Sequence, residues 1–201
     1  MSKYGHRPHD WFEAIVNKLG GEEAGDKFLR GELEIFEPTR GWRERYGVIY
    51  FSVTSDGTTG PQWIARLEGN GLRLNECAKS VLRSPDFKPT SGITTEIAVF
   101  KGIMFEDEDR ITKNIRAEAD KRVFFKPNAE AACLIRENFS DKDIKAMGFR
   151  RIVVMHKPIK DSGGYPRLLE ADLNDDGRGL DACYGRPDDR WYRDSGFAFV
   201  A

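Results

Sequence analysis

The stretch PRLLEADLNDDGRGLDACYGRPDDRWYRDSGFAFVA, residues 166–201, decides the fold. Its apolar residues form a sparse framework, and polar residues that a protein core rarely contains lie between them. The framework consists of Leu168, Leu169, Ala171, Leu180, Ala182, Pro187, Trp191 and the segment GFAFV at 196–200. The predicted ligand-binding residues are Asp172, Asn174, Asp181, Cys183, Tyr184, Arg186, Asp188, Asp189, Tyr192, Asp194 and Ser195. Because adaptable recognition surfaces use such residues on a fixed scaffold, the sequence predicts a binding face rather than an active site.

Composition sets the limits of this interpretation. The chain has 201 residues, enough for one domain with a core of its own, and its 32 basic and 33 acidic residues give a net charge of -1. The net charge therefore gives no indication of binding to nucleic acid or to an anionic membrane. Cys77, Cys133 and Cys183 are too widely spaced for a metal or redox motif, and their odd number does not fit a disulfide framework.

The N-terminal sequence MSKYGHRPHDW lacks the apolar stretch of a secretory signal, and no run of about 18 apolar residues occurs. We therefore expect a cytoplasmic protein without membrane insertion. Display at a cell surface would need a partner.

The first part of the chain predicts two helices and then a sheet. Asp10 and Glu13 form a capping-box pattern, Gly20-Gly21 ends the first helix, and a second helix over 22–30 completes a hairpin. Leu33 and Ile35 alternate as in a strand. Further strands are expected at 46–54, 62–67 and 93–100, with a short helix after Asn75.

The remaining segments predict longer helices followed by strands. The helices are expected at 107–122, at 129–139 behind Asn128, and after Ser140 as far as Gly148, and the strands at 151–156, 167–173, 180–184 and 196–200. Helices between early and late strands indicate an α+β fold with a mixed, mostly antiparallel sheet and two main helices.

A calcium site competes with the binding-face interpretation. The run Asp172-Leu173-Asn174-Asp175-Asp176-Gly177 matches the opening of an EF-hand loop, which makes Asp172, Asn174 and Asp176 candidate metal ligands. Position twelve of that loop is Cys183 rather than Glu, and predicted strands flank it. We therefore favour a plain Asp-Gly hairpin turn and expect no metal and no cofactor.

Residues 40–46, in which basic and aromatic residues alternate, are a candidate nucleic-acid interface. A helix-turn-helix needs a basic recognition helix, but the second N-terminal helix carries Glu22, Glu23 and Asp26. We therefore predict no nucleic-acid partner and interpret residues 40–46 as the lead-in to a strand.

The order Leu180-Asp181-Ala182, Pro187, Trp191 and Gly196-Phe197 resembles the end of the C-type lectin fold as formylglycine-generating-enzyme-like proteins use it. Within that group it most resembles the variable proteins of diversity-generating retroelements. The resemblance covers roughly the last 35 residues, and the remainder resembles proteins of uncultured small bacteria and archaea. It implies a C-type-lectin-like domain over residues 39–201, with a variable face at about 167–201, preceded by a helical segment at 1–38 that is either a docking module or part of the domain.

That resemblance implies a receptor-like protein without catalytic activity, whose face is rewritten at adenine-containing codons and recognises an unknown protein or surface ligand. Asp, Tyr, Cys, Ser, Arg and Gly can all arise from an AAC codon by changes at its adenines. Two alternatives remain: an interaction domain without diversification, and a formylglycine-generating-like enzyme. The enzyme would need paired cysteines, and only Cys183 lies in the expected region, with Cys133 on a predicted helix.

Overall fold

The computed structural model describes residues 9–32, 41–174 and 177–201. The chain divides into two compact units, residues 1–40 and residues 41–201, which are described separately here.

The first unit contains the predicted pair of helices, α1 (His9–Leu19) and α2 (Glu22–Leu29). Gly20 and Gly21 link them with φ angles of 108° and 98°, values that favour glycine. Helix α1 begins one residue earlier than predicted, so Asp10 lies in its first turn and not at the cap position. The strand predicted through Leu33 and Ile35 lies outside the described residues.

The second unit is built on one mixed sheet. Its strands, among the described residues, are β1 (Arg43–Arg45), β2 (Val48–Asp56), β3 (Arg73–Leu74), β4 (Ser91–Lys101), β5 (Arg151–Val154), β6 (Ile159–Lys160), β7 (Pro166–Asn174), β8 (Gly177–Tyr184) and β9 (Ser195–Val200). They are ordered β1-β2-β4-β9-β5-β7-β8-β3, with β6 beside β7. Only the β5–β9 and β3–β8 pairs of this described sheet are parallel. The prediction of an α+β fold with a mostly antiparallel sheet joining early and late strands is confirmed.

The helices of this unit are α3 (Gly60–Gly69), α4 (Glu76–Arg83), α5 (Thr112–Lys121), α6 (Glu130–Asn138) and α7 (Asp141–Ala146), with a 3-10 turn at Gly102–Met104. The caps predicted for α4 and α7 are confirmed: Asn75 accepts a hydrogen bond from the Ala78 amide, and Ser140 accepts one from the Asp143 amide. In the described parts of the chain, no helix has the length and apolar character needed to cross a bilayer.

Residues 62–67, predicted as a strand, instead belong to helix α3, so that prediction was wrong. Thr59 and Gln62 form a capping box, and Pro61 lies in the first turn, where a missing amide proton costs little. Trp63, Ile64 and Leu67 then fall on one buried helical face. The helix is as long as α5, so the expectation of two main helices was also wrong.

Helix α5 begins at Thr112, five residues later than the predicted start at 107. Ile111 is extended and forms an isolated antiparallel bridge with Arg190, which holds the preceding backbone out of the helix. The bridge ties the start of α5 to the C-terminal part of the chain.

The sheet has two differently covered faces. Helices α3, α4, α6 and α7 pack on the first face around residues such as Trp63, Ile135 and Leu169. On the second face, Ile115 and Ala119 of α5 pack against Phe197 and other aromatic side chains. Since side chains alternate along a strand, each strand residue is assigned to one face by its position.

His156 follows β5 and binds the backbone of β7 just beyond the residues at which the two strands pair. Its Nδ1 donates to the Lys157 carbonyl at 2.7 Å, and its Nε2 accepts from the Leu169 amide at 3.0 Å. Burial lowers the pKa of this imidazole from 6.5 to about 4. The neutral ring therefore has a structural role.

A glutamine at this position, His156→Gln, should change how stability depends on pH. The pKa of His156 is lower in the folded state than in the unfolded state, so the neutral ring contributes fully to stability at pH values above the unfolded pKa. This contribution is lost as the pH falls towards the folded pKa. We expect the difference in unfolding free energy between the wild type and the variant to decrease by about 2 kcal/mol from about pH 7 to about pH 4.5. Urea unfolding at each pH measures it, and parallel stability curves would contradict the assignment.

Candidate functional site

The segment between β8 and β9, residues 185–194, crosses the second face of the sheet and is called the C-terminal connection. Its path is fixed by main-chain hydrogen bonds to the start of α5. The amides of Thr112 and Lys113 donate to the carbonyls of Asp189 and Pro187 at 3.1 and 2.9 Å, and the Trp191 amide donates to the Arg110 carbonyl at 3.0 Å. These bonds join backbone atoms, so they do not depend on the exposed side chains of the connection.

The guanidinium of Arg110 lies beneath the connection and is 5% exposed. It donates to the carbonyls of Gly102, Phe105 and Trp191 at 2.9, 2.8 and 3.5 Å, and to the Asp107 carboxylate at 2.7 Å. A planar group with five donors can bind several acceptors at once, as this one does. Arg110 therefore joins the 3-10 turn to the C-terminal connection.

Two further contacts hold the connection against the sheet. The indole of Trp191 donates to Thr112 Oγ1 at 3.0 Å, and its ring packs edge-on against Phe197. Gly102 approaches so closely that a β-carbon there would lie 2.7–2.9 Å from the carbonyl oxygens of Tyr192, Arg193 and Ser195. Only glycine fits this position without displacing the backbone.

The predicted ligand-binding residues differ in exposure. Tyr184, Arg186, Asp188, Tyr192 and Asp194 are exposed, and Asp181, Cys183 and Asp189 are partly buried. Asp172 and Ser195 are buried, with 2% and 0% exposure, so the expectation that they lie on the surface was wrong. Both are strand residues whose side chains point under the connection. The side chain of Asn174 lies outside the described part.

Strand alternation also separates the predicted residues. Asp172, Asp181, Cys183 and Ser195 point to the second face, whereas Tyr184 points to the first. The structure therefore does not bring all of these residues together into one face.

Tyr184 belongs to a separate exposed cluster of aromatic and guanidinium groups. The Arg167 guanidinium lies 4.1 Å from the centre of the Tyr184 ring, and that of Arg186 lies 4.9 Å away on the same ring. Tyr165 packs edge-on against Tyr184 with ring centres 6.0 Å apart. These residues stack on each other, so their contact surface is held in place before any ligand binds.

Asp189 stabilises the connection itself. Its carboxylate accepts a hydrogen bond from the Arg186 amide at 2.6 Å, which closes a turn. Asp188 forms only an exposed ion pair with Lys113 at 3.3 Å. Asp189 therefore has a local structural role, whereas the carboxylate of Asp188 stays at the surface.

Below the connection lies a carboxylate cluster formed by Glu170, Asp172 and Asp181, whose oxygens come within 4.8 Å of one another. Arg151 on the neighbouring strand contacts Glu170 at 3.5 Å and Asp172 at 3.9 Å. The same guanidinium lies 5.6 Å from the centre of the Tyr192 ring, so it contacts both the cluster and the connection.

Burial dominates the electrostatics of this cluster. It raises the pKa of Glu170 to about 7, with Asp172 and Asp181 adding to the rise and Arg151 opposing it. Burial also raises the pKa of the nearby Cys183 thiol, which donates to the Leu168 carbonyl at 3.5 Å. The thiol is therefore held protonated, which disfavours a nucleophilic role.

The EF-hand interpretation of Asp172, Asn174 and Asp176 does not fit the fold. An EF-hand loop is flanked by helices, but residues on both sides belong to strands β7 and β8, with Asn174 opposite Gly177. The Asp175-Asp176 turn itself lies outside the described residues. Asp172 instead lies beside Glu170 and Asp181, two carboxylates that are not part of the EF-hand pattern.

The cysteine pair that an enzyme of the formylglycine type would need does not form between Cys133 and Cys183. Cys133 is fully buried in the first-face core on α6, and Cys183 packs with the second-face core. The sheet separates the two thiols, and burial raises the pKa of Cys133 as well.

Sequence reasoning missed four residues that shape this region: Gly102, Arg110, Arg151 and Glu170. For Glu170 a signal existed, since Leu169, Ala171 and Leu173 alternate with Glu170 and Asp172 and so predict two carboxylates on one side of β7. For Gly102 and for the contact of Arg110 with Trp191 there was none, because these partners are backbone atoms about 80–90 residues away in the chain.

Comparison with known proteins identifies no relative: no protein-family profile matches the chain, and neither curated proteins nor solved structures show significant similarity.

Replacing Gly102 with alanine should destabilise the protein by about 2 kcal/mol or more, since the added methyl group would collide with three carbonyls. Gly69→Ala is the matched control, because its β-carbon meets nothing within 4 Å at the end of α3. We expect the control to be neutral or stabilising by up to about 1 kcal/mol. Equal unfolding free energies for the two variants would contradict the close approach.

Proposed function

We propose that the protein is a receptor-like binding protein that recognises a protein or surface ligand through the exposed side chains of the C-terminal connection. One observation carries the proposal: the connection is positioned by main-chain hydrogen bonds and by buried Arg110, not by its exposed side chains. Those side chains are therefore available for contacts. Their replacement should leave the fold intact.

The chemistry of this surface suits a polar macromolecular partner. The exposed residues combine an aromatic ring with charges of both signs: Arg186, Asp188, Arg190, Tyr192, Arg193 and Asp194. Tyrosine provides a rigid contact area with little loss of rotamer freedom, and arginine is enriched at the energetic centres of interfaces. Arg190 and Arg193 were absent from the predicted set and extend it.

The proposal includes a C-type-lectin-like domain and diversification by a retroelement. It is supported by the resemblance at Leu180, Ala182, Trp191 and Phe197, and by the mixed α+β sheet whose C-terminal strand β9 lies between β4 and β5. Leu180 and Phe197 are fully buried and Ala182 is 9% exposed, as a constant framework requires.

Residues 43–46 do not support a nucleic-acid interface as a second function. Arg43 pairs with Glu96, and Lys101 binds Glu44 at 2.8 Å, so charges of both signs alternate across β1, β2 and β4. Such a mixed surface offers no continuous basic stripe for a phosphate backbone.

A charge-balanced variant, in which as many acidic as basic residues are neutralised, tests whether the fold depends on the exposed side chains of the C-terminal connection. Asp188→Asn, Arg190→Gln, Arg193→Gln and Asp194→Asn combined leave the net charge unchanged. We expect the unfolding free energy to change by about 0.5 kcal/mol or less per substitution, as is usual for exposed positions. Thermal unfolding and circular dichroism measure this.

The matched control is Trp191→Ala, which removes a packed framework side chain from the same segment and should cost about 3 kcal/mol. Binding of the wild type and of the charge-balanced variant is then compared on an array of proteins and glycans. Ligands bound by the wild type and lost by the folded variant support the proposal. Identical binding profiles, or unfolding of the charge-balanced variant, contradict it.

Diversification predicts a pattern at the level of the gene. Sequencing the 3′ end of the gene and its flanking DNA in the source population should show substitutions at adenine-containing codons for exposed residues between 172 and 195. The codons for Leu180, Ala182, Trp191 and Phe197 should stay constant. Uniform or absent variation would leave an undiversified interaction domain.

A further inference from the structure

We propose that the carboxylate cluster of Glu170, Asp172 and Asp181 binds a divalent cation, and that the cation is calcium. This site is distinct from the EF-hand pattern, because its ligands come from the middle of β7 and β8 and not from the turn between them. It does not depend on the proposed recognition function.

The separation of the oxygens fits a calcium shell. Two ligands of one ion can be no farther apart than twice the bond length, which is about 4.6–5.2 Å for calcium and about 4.0–4.2 Å for magnesium. The candidate oxygens of the three side chains all lie within 4.8 Å of one another. Oxygens this close together can share one ion, and calcium accepts an irregular oxygen shell at about 2.3–2.6 Å, whereas magnesium needs near-ideal octahedral geometry at about 2.0–2.1 Å.

The second observation is that buried oxygens here lack hydrogen-bond partners. Glu170 and Asp172 are 4% and 2% exposed, yet Glu170 Oε2 and Asp172 Oδ1 lack a hydrogen-bond partner in the described chain, as does Arg151 Nε beside them. Ser195 Oγ is fully buried and equally unpartnered, and its residue pairs with Arg151 on the same face. Buried polar atoms are rarely left without a partner, so this group points to a ligand.

Arg151 does not satisfy the cluster by itself. Its contacts to Glu170 and Asp172 are 3.5 and 3.9 Å long, which is too far for strong charge-assisted hydrogen bonds. A divalent cation at this position would bind the oxygens that Arg151 leaves without a close partner, Glu170 Oε2 and Asp172 Oδ1. Oxygen ligands of this kind select hard cations over zinc or copper.

Access to the cluster is from the side of Asp181, which is only partly buried. An ion can therefore reach Asp181 first and then the buried oxygens of Glu170 and Asp172. Binding would hold β7 and β8 together beneath the C-terminal connection, where Glu170 and Asp181 face each other in register.

Thermal unfolding of the full chain, stripped with a chelator, tests the proposal with calcium chloride and magnesium chloride titrated separately. We expect a saturable rise in Tm with calcium, and at least tenfold weaker binding by Asp181→Asn in isothermal titration calorimetry. Asp188→Asn is the matched control, because it removes an exposed carboxylate outside the cluster and should bind calcium like the wild type.

Terbium luminescence on the wild-type chain provides a measurement that needs no variant, with calcium expected to displace the bound terbium. No saturable calcium response up to about 10 mM would overturn the proposal, since extracellular modules bind at about 0.1–1 mM. An equal response of Asp181→Asn and the wild type would overturn it too. Tighter binding of magnesium would overturn the choice of calcium.

Discussion

The buried guanidinium of Arg110 is the contact on which the C-terminal half of the molecule depends. It binds carbonyls from the 3-10 turn and from the connection, which are about 90 residues apart in the chain. Hydrogen bonds from a charged donor contribute about 1.5–3 kcal/mol each. Together with the main-chain bonds to the start of α5, this side chain determines where the connection, α5 and the 3-10 turn meet.

Beneath that contact, the structure separates two kinds of polar residue that look alike in the sequence. Residues such as Asp188 and Tyr192 project outward from a backbone fixed by other groups, whereas Glu170 and Asp172 are buried beside Asp181 and the Arg151 guanidinium. The carboxylate of Asp188 is thus solvated at the surface. Those of Glu170 and Asp172 are buried, where a negative charge must be balanced. Arg151 lies between the two, beside both the cluster and the Tyr192 ring.

Local patterns predicted most of the elements, because caps and alternation depend on neighbours in sequence. The caps at Asn75 and Ser140 and the alternation along β7 and β9 are of this kind. The pattern failed at Gln62–Leu67, where a short apolar segment suits either a strand or a helix and the capping box at Thr59 decided the outcome. It also failed for the burial of Asp172 and Ser195, since both pair with Arg151 of strand β5, which is distant from them in sequence. Exposure is a property of the assembled fold, and sequence alone does not carry it.

The position of β9 in the middle of the sheet has a consequence for biosynthesis. In the described sheet β9 lies between β4 and β5 and pairs with both, so the sheet is continuous only once residues up to Val200 have been synthesised. The segment that carries the exposed residues must therefore be translated in full, in the correct reading frame, before a cooperative fold can form. A frameshift or stop codon within this segment would yield a chain with unpaired strand edges, which quality-control proteases remove. Substitutions at its exposed positions would leave the strand pairing intact.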